Sequence, residues 1–154
     1  MQTLYPSTVI ADTFLDLADS NQQTLTSMQV LKLVYIAHGW SLGLLGRALT
    51  GDEIQAWQYG PVIPLLYDRI REFRGKSVRG PLYTGDPVTL DERSRKLIEK
   101  VFATYGVRSG FDLSRITHAP GTPWTKVYRE GTFGLRISDD LIEHHYRSLV
   151  GEAA

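Results

Sequence analysis

Hydrophobic positions along the chain recur with helical spacing in several separate segments. The first segment covers residues 8–18, where Ile10, Phe14 and Leu17 are spaced to share one face. The opposite side carries three carboxylates: Asp12, Asp16 and Asp19. This separation of apolar and acidic positions predicts an amphipathic helix that packs against a core on one side only.

The second segment is apolar nearly all round. Thr26 and Gln29 match a capping box at its start, and Gly46 is placed to end it. Its apolar residues are Val30, Leu31, Leu33, Val34, Tyr35, Ile36, Trp40, Leu42, Leu44 and Leu45. A helix of this kind must be surrounded by others, so we place it at the centre of the fold. Gly39 and Gly43, four residues apart, predict that another backbone crosses it closely.

A short β element is predicted after the central helix. Residues 53–59 have strand character, and the turn signal at residues 50–52 would pair them with residues 47–50. The Gly60-Pro61 step is expected to end this strand. The sequence therefore predicts one small β-hairpin in a mostly helical chain.

The rest of the chain predicts further helices joined by short loops. Thr89 and Glu92 repeat the capping-box pattern, and Ser138 is placed to cap a last helix. The predicted helices are residues 65–73, 89–105, 111–117, 122–128 and a last one from Ser138 through Leu149. Residues 76–88 form a predicted loop with a strand at 81–84, and a strand is predicted near 135–137. The predicted fold is mainly α, a single compact domain over residues 1–154.

Composition narrows the function classes. The chain has 154 residues, 17 Lys+Arg against 17 Asp+Glu, 42% hydrophobic residues and no cysteine. Zero formal charge argues against a general nucleic-acid binder, and the lack of cysteine excludes disulfides, Cys-type zinc sites and thiol nucleophiles. No cationic and apolar leader is visible, and polar residues interrupt the apolar stretch at 28–45. We therefore expect a cytoplasmic protein without a membrane span.

Catalytic motifs are scarce in this sequence. It contains neither a Walker loop nor a nucleophile elbow nor an HExxH pair. His144 and His145 are adjacent on a helix and point about 100° apart, which suits one metal ion poorly. We predict no metal and no cofactor. An alternative remains open in which His38 and His118 face one pocket and serve an enzyme or small-ligand site.

Cations are concentrated in one segment although the total charge is zero. Five lie between residues 69 and 79, against Glu72 alone: Arg69, Arg71, Arg74, Lys76 and Arg79. Arginine forks suit carboxylates and phosphates, so the segment could dock an acidic protein or contact DNA or RNA. A solvated helix end is the simpler interpretation.

Aromatic residues beside chain breakers form the third candidate feature. Rigid aromatics next to proline-fixed loops make good interface anchors, because little conformational entropy is lost on binding. Tryptophans in a small domain are also commonly part of the core. The candidate partner-binding residues are Trp57, Tyr59, Pro61, Val62, Tyr67, Arg69, Arg71, Arg74 and Trp124.

Two long motifs carry a family resemblance. They are LKLVYIAHGW at residues 31–40 and IQAWQYGPVIP at residues 54–64. Shorter matches follow at Tyr105-Gly106, Leu113-Ser114, Thr117-His118 and Pro123-Trp124. In this combination the chain, from about residue 8 to residue 146, resembles the Panacea antitoxin domain, also described as SocA-like or GepA-like phage-associated protein.

The resemblance implies a helical antitoxin of a bacterial or prophage type II-like toxin–antitoxin system, which neutralises its toxin by direct binding. One branch of the family also delivers its toxin to a protease, and some relatives carry a fused DNA-binding domain, for which this chain is too short. The implied partners are a cognate toxin and, in that branch, a protease, and a homo-oligomer stays open. The motif residues to which the resemblance gives a structural role are Lys32, Tyr35, His38, Gly39, Trp40, Gly60, Pro64, Thr117, His118 and Pro123.

Overall fold

Helices make up most of the molecule, which is known from a computed structural model that describes residues 4–153. The described α-helices are α1 (Ser7–Ser20), α2 (Ser27–Trp40), α3 (Pro64–Ile70), α4 (Glu92–Tyr105), α5 (Gly110–Thr117), α6 (Pro123–Val127) and α7 (Asp139–Ala153). A π-helix (Ser41–Leu45) extends α2, and a 3₁₀ turn (Arg71–Phe73) extends α3. The strands are β1 (Gln55–Trp57), β2 (Gly60–Val62) and β3 (Leu135–Arg136). The mainly helical fold with a small β element is confirmed.

The central position of α2 is also confirmed. Every residue from Val30 to Gly39 is buried, and the helix packs against α1, α4, α5 and α7. Its capping box forms as predicted: the Gln29 amide donates to Thr26 Oγ1 at 3.3 Å, and the Thr26 amide donates to Gln29 Oε1 at 2.9 Å. Gly46 ends the π-helical extension with a φ of 69°, a left-handed conformation that glycine adopts without strain.

The predicted close crossing at Gly39 and Gly43 is made by α7. A Cβ atom at Gly39 would lie 2.2 Å from the Tyr146 ring, and one at Gly43 would lie 2.7 Å from Tyr146 Cβ and 3.1 Å from its carbonyl carbon. These separations are far below van der Waals contact. A side chain at either position would therefore require neighbouring atoms to move, and α7 packs on the end of the central helix through Tyr146.

The predicted pairing of the β element was wrong. Strand β1 pairs antiparallel with β2, with Trp57 opposite Gly60, and on its other edge with β3. Gly60 has a φ of 117°, which lets the chain reverse directly after β1 and makes β2 the nearer partner. Residues 47–50 cannot pair with β1 in the predicted way, because the amides of Leu49 and Thr50 donate to His38.

The cap of α4 also differs from the prediction. Asp91, rather than Thr89, is the N-cap, and its carboxylate accepts from the Ser94 amide at 2.9 Å. The same carboxylate accepts from Tyr5 Oη and Arg47 Nη2, both at 2.7 Å. Burial raises the pKa of Asp91, but these hydrogen bonds together lower it by more than burial raises it. The pKa of Asp91 therefore lies well below its usual range.

Residues 81–84 form no strand in the described structure, contrary to the prediction. The amides of Leu82 and Tyr83 donate to the two carboxylate oxygens of Asp12 at 2.7 and 3.0 Å. Side-chain acceptors on α1 thus take the place of a neighbouring strand. Within the described residues, no helix is both long enough and apolar enough to cross a membrane.

Candidate partner-binding surface

The hairpin β1–β2 presents Trp57 at the molecular surface. Ala56, its neighbour in β1, is buried, while Gln55 and Trp57 on the alternate positions are partly exposed. The Trp57 indole donates to Gln55 Oε1 at 3.0 Å on the same face of the strand. Because this bond satisfies the indole N–H, the exposed part of the ring is an apolar plane in a fixed orientation.

Two side chains adjoin this ring, and a third adjoins one of those two. Tyr67 of α3 meets Trp57 edge to face at 5.0 Å between ring centroids, and the Phe133 and Trp57 ring centroids are 5.1 Å apart. The Arg71 guanidinium lies 5.9 Å from the centre of the Tyr67 ring, within cation–π range. We call Trp57, Tyr67, Arg71 and Phe133 the Trp57 surface.

Phe133 is the member of this surface that the sequence did not predict. It lies between Gly131 and Gly134, which have φ values of 81° and 80°, and its side chain is 77% exposed. A single aromatic residue in a polar loop has no periodicity that would mark it. The sole available signal was an apolar residue between two glycines, which is also typical of ordinary turns.

Trp124 contacts the backbone of Trp57. Its indole donates to the Trp57 carbonyl at 2.6 Å, so two of the predicted partner-binding residues lie against each other. The Trp124 ring also stacks on Tyr128 at 4.5 Å and meets His118 edge to face at 5.2 Å. These contacts join α6 to the hairpin.

The other predicted partner-binding residues differ in exposure. Tyr59, at the tip of the hairpin, is 63% exposed. Pro61 and Val62 are buried in β2, so their side chains offer no surface to a partner. Arg69 is exposed but donates to the Leu82 carbonyl at 3.1 Å, and Arg74 is exposed at the end of the 3₁₀ turn.

The cations of residues 69–79 have different surroundings. Arg71 belongs to the Trp57 surface, whereas Arg79 lines a different cavity of about 730 Å³. Three carboxylates of α1 line that same cavity: Asp12, Asp16 and Asp19. Arg79 therefore lies beside opposite charge, which weakens the case for a phosphate-binding stripe along this segment.

Lys32 lies beneath the hairpin as a buried amine. Its side chain is 1% exposed, and Nζ donates to the Pro61 carbonyl of β2 at 2.8 Å. Burial lowers the pKa of Lys32 to about 7, because an apolar environment disfavours the protonated form. A Cβ at Gly60 would lie 3.1 Å from this nitrogen, so the glycine makes room for the amine. The central helix thus holds the hairpin that carries Trp57.

The two histidines of the alternative hypothesis have different partners. His38 is 1% exposed, and its Nδ1 accepts from the Leu49 and Thr50 amides, both at 3.3 Å. Nε2 must then carry the proton, and it donates to Asp139 Oδ1 at 2.8 Å. His118 contacts the Ser114 carbonyl and Trp124 instead. Neither imidazole lines any of the three best-defined cavities in the described part of the chain.

Other motif residues make contacts within the fold. Trp40 Nε1 donates to Tyr105 Oη at 3.2 Å, and Thr117 Oγ1 donates to the Leu113 carbonyl at 2.9 Å. Pro64 and Pro123 occupy the first turns of α3 and α6, where a missing amide costs nothing. Among the described residues, no group of three or more His, Cys, Asp or Glu side chains could hold a metal ion.

The Trp57 surface combines aromatic residues and arginine, the residue types that are enriched at protein interfaces. Residues 30–125 match the family described as Antitoxin SocA-like, Panacea domain, and the chain belongs to that family. The matched range includes Lys32, Trp57 and Trp124 but ends before Phe133.

The chain is also similar to a bacterial antitoxin. It is 29% identical over 151 residues to Antitoxin SocA of Caulobacter vibrioides (strain NA1000 / CB15N), an alignment that covers 90% of this chain and 80% of that protein. No solved structure matches significantly. The resemblance drawn from the two long motifs is therefore confirmed at the level of the family.

Proposed function

We propose that this protein is an antitoxin that neutralises a cognate toxin by direct binding through the Trp57 surface. The observation that carries the proposal is one group of side chains in a member of the SocA-like family: the partly exposed rings of Trp57 and Tyr67 beside the exposed Arg71 and Phe133. The similar Caulobacter protein is named an antitoxin, which supports the same role.

The Trp57 surface has the physical character of an interface centre. Tryptophan, tyrosine and arginine are the residues that most often dominate binding energy. The Trp57 ring is oriented before binding, since Gln55 holds its N–H and Trp124 holds its backbone carbonyl. Little side-chain entropy is then lost on association. A stable complex should bury about 1,200–2,000 Å² in total, so the surface would be the centre of a larger footprint.

The proposal contains no catalytic step. His38 uses both ring nitrogens in hydrogen bonds inside the fold, so it has no free nitrogen to serve as a general base. Neutralisation would follow from covering the toxin's active surface in the cytoplasm. Occlusion requires only affinity and persistence, which a rigid hydrophobic centre with a charged rim supplies.

Co-expression tests the function. The gene adjacent to this one is taken as the candidate toxin gene and is induced with and without the antitoxin. Cells that express the toxin should grow only when the antitoxin is also present. Equal arrest in both cultures would contradict the antitoxin role. Toxin abundance distinguishes two modes: a stable level means masking, whereas a level that falls only when the antitoxin is present means delivery to a protease.

A matched pair of phenylalanine variants tests the surface. Phe133 and Phe111 are 77% and 82% exposed, but only Phe133 contacts Trp57. Phe133→Ser should weaken toxin binding about tenfold or more, as measured by calorimetry, because an interface anchor is lost. Phe111→Ser should leave the affinity unchanged. Equal affinity of the two variants would exclude the Trp57 surface while leaving the antitoxin role intact.

A further inference from the structure

A second recognition feature lies away from the Trp57 surface, in the groove between the π-helix and α4. Its volume is about 450 Å³, within the usual range of ligand pockets of about 300–1,000 Å³. Trp40, Leu44, Leu97 and Val101 contribute to its apolar lining. The groove shares no residue with the Trp57 surface.

The floor of the groove is rigid and largely apolar. Trp40 Nε1 donates to Tyr105 Oη at 3.2 Å, which satisfies the indole N–H that would otherwise bind water. The Trp40 ring also packs edge to face on Tyr146 at 5.0 Å. Leu44, at the side of the groove, is 54% exposed although it is a large apolar residue. Such a preformed apolar floor lowers the entropy cost of binding.

The charged residues that line the groove are all cations. Its ten lining residues, all of them described, include three cations and neither Asp nor Glu; the cations are Arg93, Lys96 and Lys100. They recur at three- and four-residue spacing on one side of α4 and form a rim above Leu97 and Val101. Lys96 also pairs with Glu92 at 3.1 Å, but both side chains are exposed, and such a pair is weak enough to exchange for another carboxylate.

We propose that this groove binds an amphipathic helix of a partner protein, one that carries carboxylates beside its apolar anchors. Two helical walls with an apolar floor fit the helix-in-groove mode of recognition, in which apolar side chains about one turn apart enter the groove. The cationic rim selects an acidic helix, because charge complementarity governs association rate and partner choice. The site is distinct from the proposed toxin surface and stands whether or not that surface binds a toxin.

The test uses a fluorescein-labelled synthetic helical peptide of about 18 residues, long enough to form helix. Leucines occupy positions i, i+3 and i+7 of this probe, and glutamates flank them. Fluorescence anisotropy should show saturable binding to the intact protein that weakens as salt rises. A peptide with lysine in place of glutamate, and one with serine in place of leucine, should bind at least about tenfold more weakly.

Protein variants assign the binding to the groove. Lys96→Glu/Lys100→Glu should weaken binding about tenfold or more, since two attractive contacts become repulsive. Lys76→Glu/Lys126→Glu has the same charge change at exposed positions outside the groove and should bind normally. Leu44→Ser should weaken binding, whereas Leu65→Ser, at a similarly exposed leucine elsewhere, should not. All changed side chains are exposed, so melting temperatures should stay close to that of the unchanged protein.

Three results would overturn the proposal. One is the absence of peptide binding, or equal binding of the glutamate and lysine peptides. Another is equal loss of affinity in the groove variants and their matched controls. The third is a dimer in sedimentation velocity that Leu44→Ser dissociates, which would show that a second copy of this chain covers the groove.

Discussion

Lys32 links the core to the Trp57 surface. Its amine donates a hydrogen bond to the Pro61 carbonyl of β2, which pairs with the strand that carries Trp57. Its pKa is lowered by burial to about 7, from 10.5 in solution. Between these values the unfolded chain binds the proton and the folded chain does not. Stability therefore rises with pH across this window, and below about pH 7 the full cost of burying the charge applies.

We predict that the free energy of unfolding rises by roughly 1 kcal/mol per pH unit between about pH 8 and 9.5 because of Lys32. Lys32→Met should flatten this slope, as measured by urea denaturation at several pH values. Lys76→Met, at an exposed lysine, should keep the slope. A slope that is unchanged in Lys32→Met would mean that the amine stays charged in the folded protein.

His38 offers a second prediction at the residue scale, which also separates a structural from a chemical role. His38→Phe leaves the buried amides of Leu49 and Thr50 without an acceptor and should lower the unfolding free energy by about 2–4 kcal/mol. Asp139→Asn keeps an acceptor oxygen on a half-exposed side chain and should cost under about 1 kcal/mol. A stable His38→Phe protein that no longer protects cells would instead favour the small-ligand or enzyme hypothesis.

At the scale of elements, the crossing of α2 and its π-helical extension by α7 is set by two glycines. Gly43→Ala adds a methyl group 2.7 Å from Tyr146 Cβ and 3.1 Å from its carbonyl carbon, where the backbone must move. We expect a net loss of about 1–2 kcal/mol, since overpacking exceeds the gain in helix propensity. Gly151→Ala in α7 meets nothing within 4 Å and should be neutral or slightly stabilising. Thermal unfolding of both variants makes the comparison.

A double-mutant cycle shows whether Tyr146 is the cause of the restriction at Gly39. The three atoms nearest to a Cβ at Gly39 would all belong to the Tyr146 ring, at 2.2 to 2.6 Å. Gly39→Ala should therefore destabilise the intact protein but cost little in a Tyr146→Ala background. Additive losses in the double variant would show that another contact restricts this glycine.

Sequence reasoning succeeded where local patterns decide the structure. The capping box of Thr26 and Gln29 involves residues three apart, and the need for small residues at Gly39 and Gly43 follows from helix periodicity. The hairpin was assigned the wrong partner, because its register depends on the left-handed backbone of Gly60, which spacing alone does not reveal. The local capping-box pattern also predicted Thr89 as the N-cap of α4. Asp91 is the N-cap instead, and its carboxylate is held by hydrogen bonds from Tyr5 and Arg47, which are distant in sequence.

The candidate site was predicted in part for the same reason. Trp57 and Tyr67 lie in or beside a motif that pairs aromatics with chain breakers, and Arg71 lies in the cation-rich segment, so all three could be selected as interface residues. Phe133 reaches Trp57 from a loop 76 residues later along the chain, and only the pairing of β1 with β3 brings it there. Contacts between distant segments depend on the whole fold.

At the scale of the whole molecule, the balance of 17 cations and 17 anions conceals an uneven distribution. Three carboxylates of α1 and Arg79 line one cavity, three cations of α4 line the groove, and Arg71 lies on the Trp57 surface. Neutrality overall limits nonspecific attraction to polyanions, while each local cluster can still select its own partner. The molecule thus offers separate surfaces of different chemistry on one rigid helical core.

Hydrogen exchange can locate the toxin on this molecule. We predict that complex formation slows amide exchange in residues 129–136 and at the hairpin tip around Tyr59, because these segments frame the Trp57 surface. Exchange in α4 should stay unchanged, since its groove belongs to a different partner in our proposal. The Phe133→Ser variant at equal occupancy should show weaker protection of the same segments. Protection confined to α4 would instead place the toxin in the groove, and the Trp57 surface would then lose its proposed role.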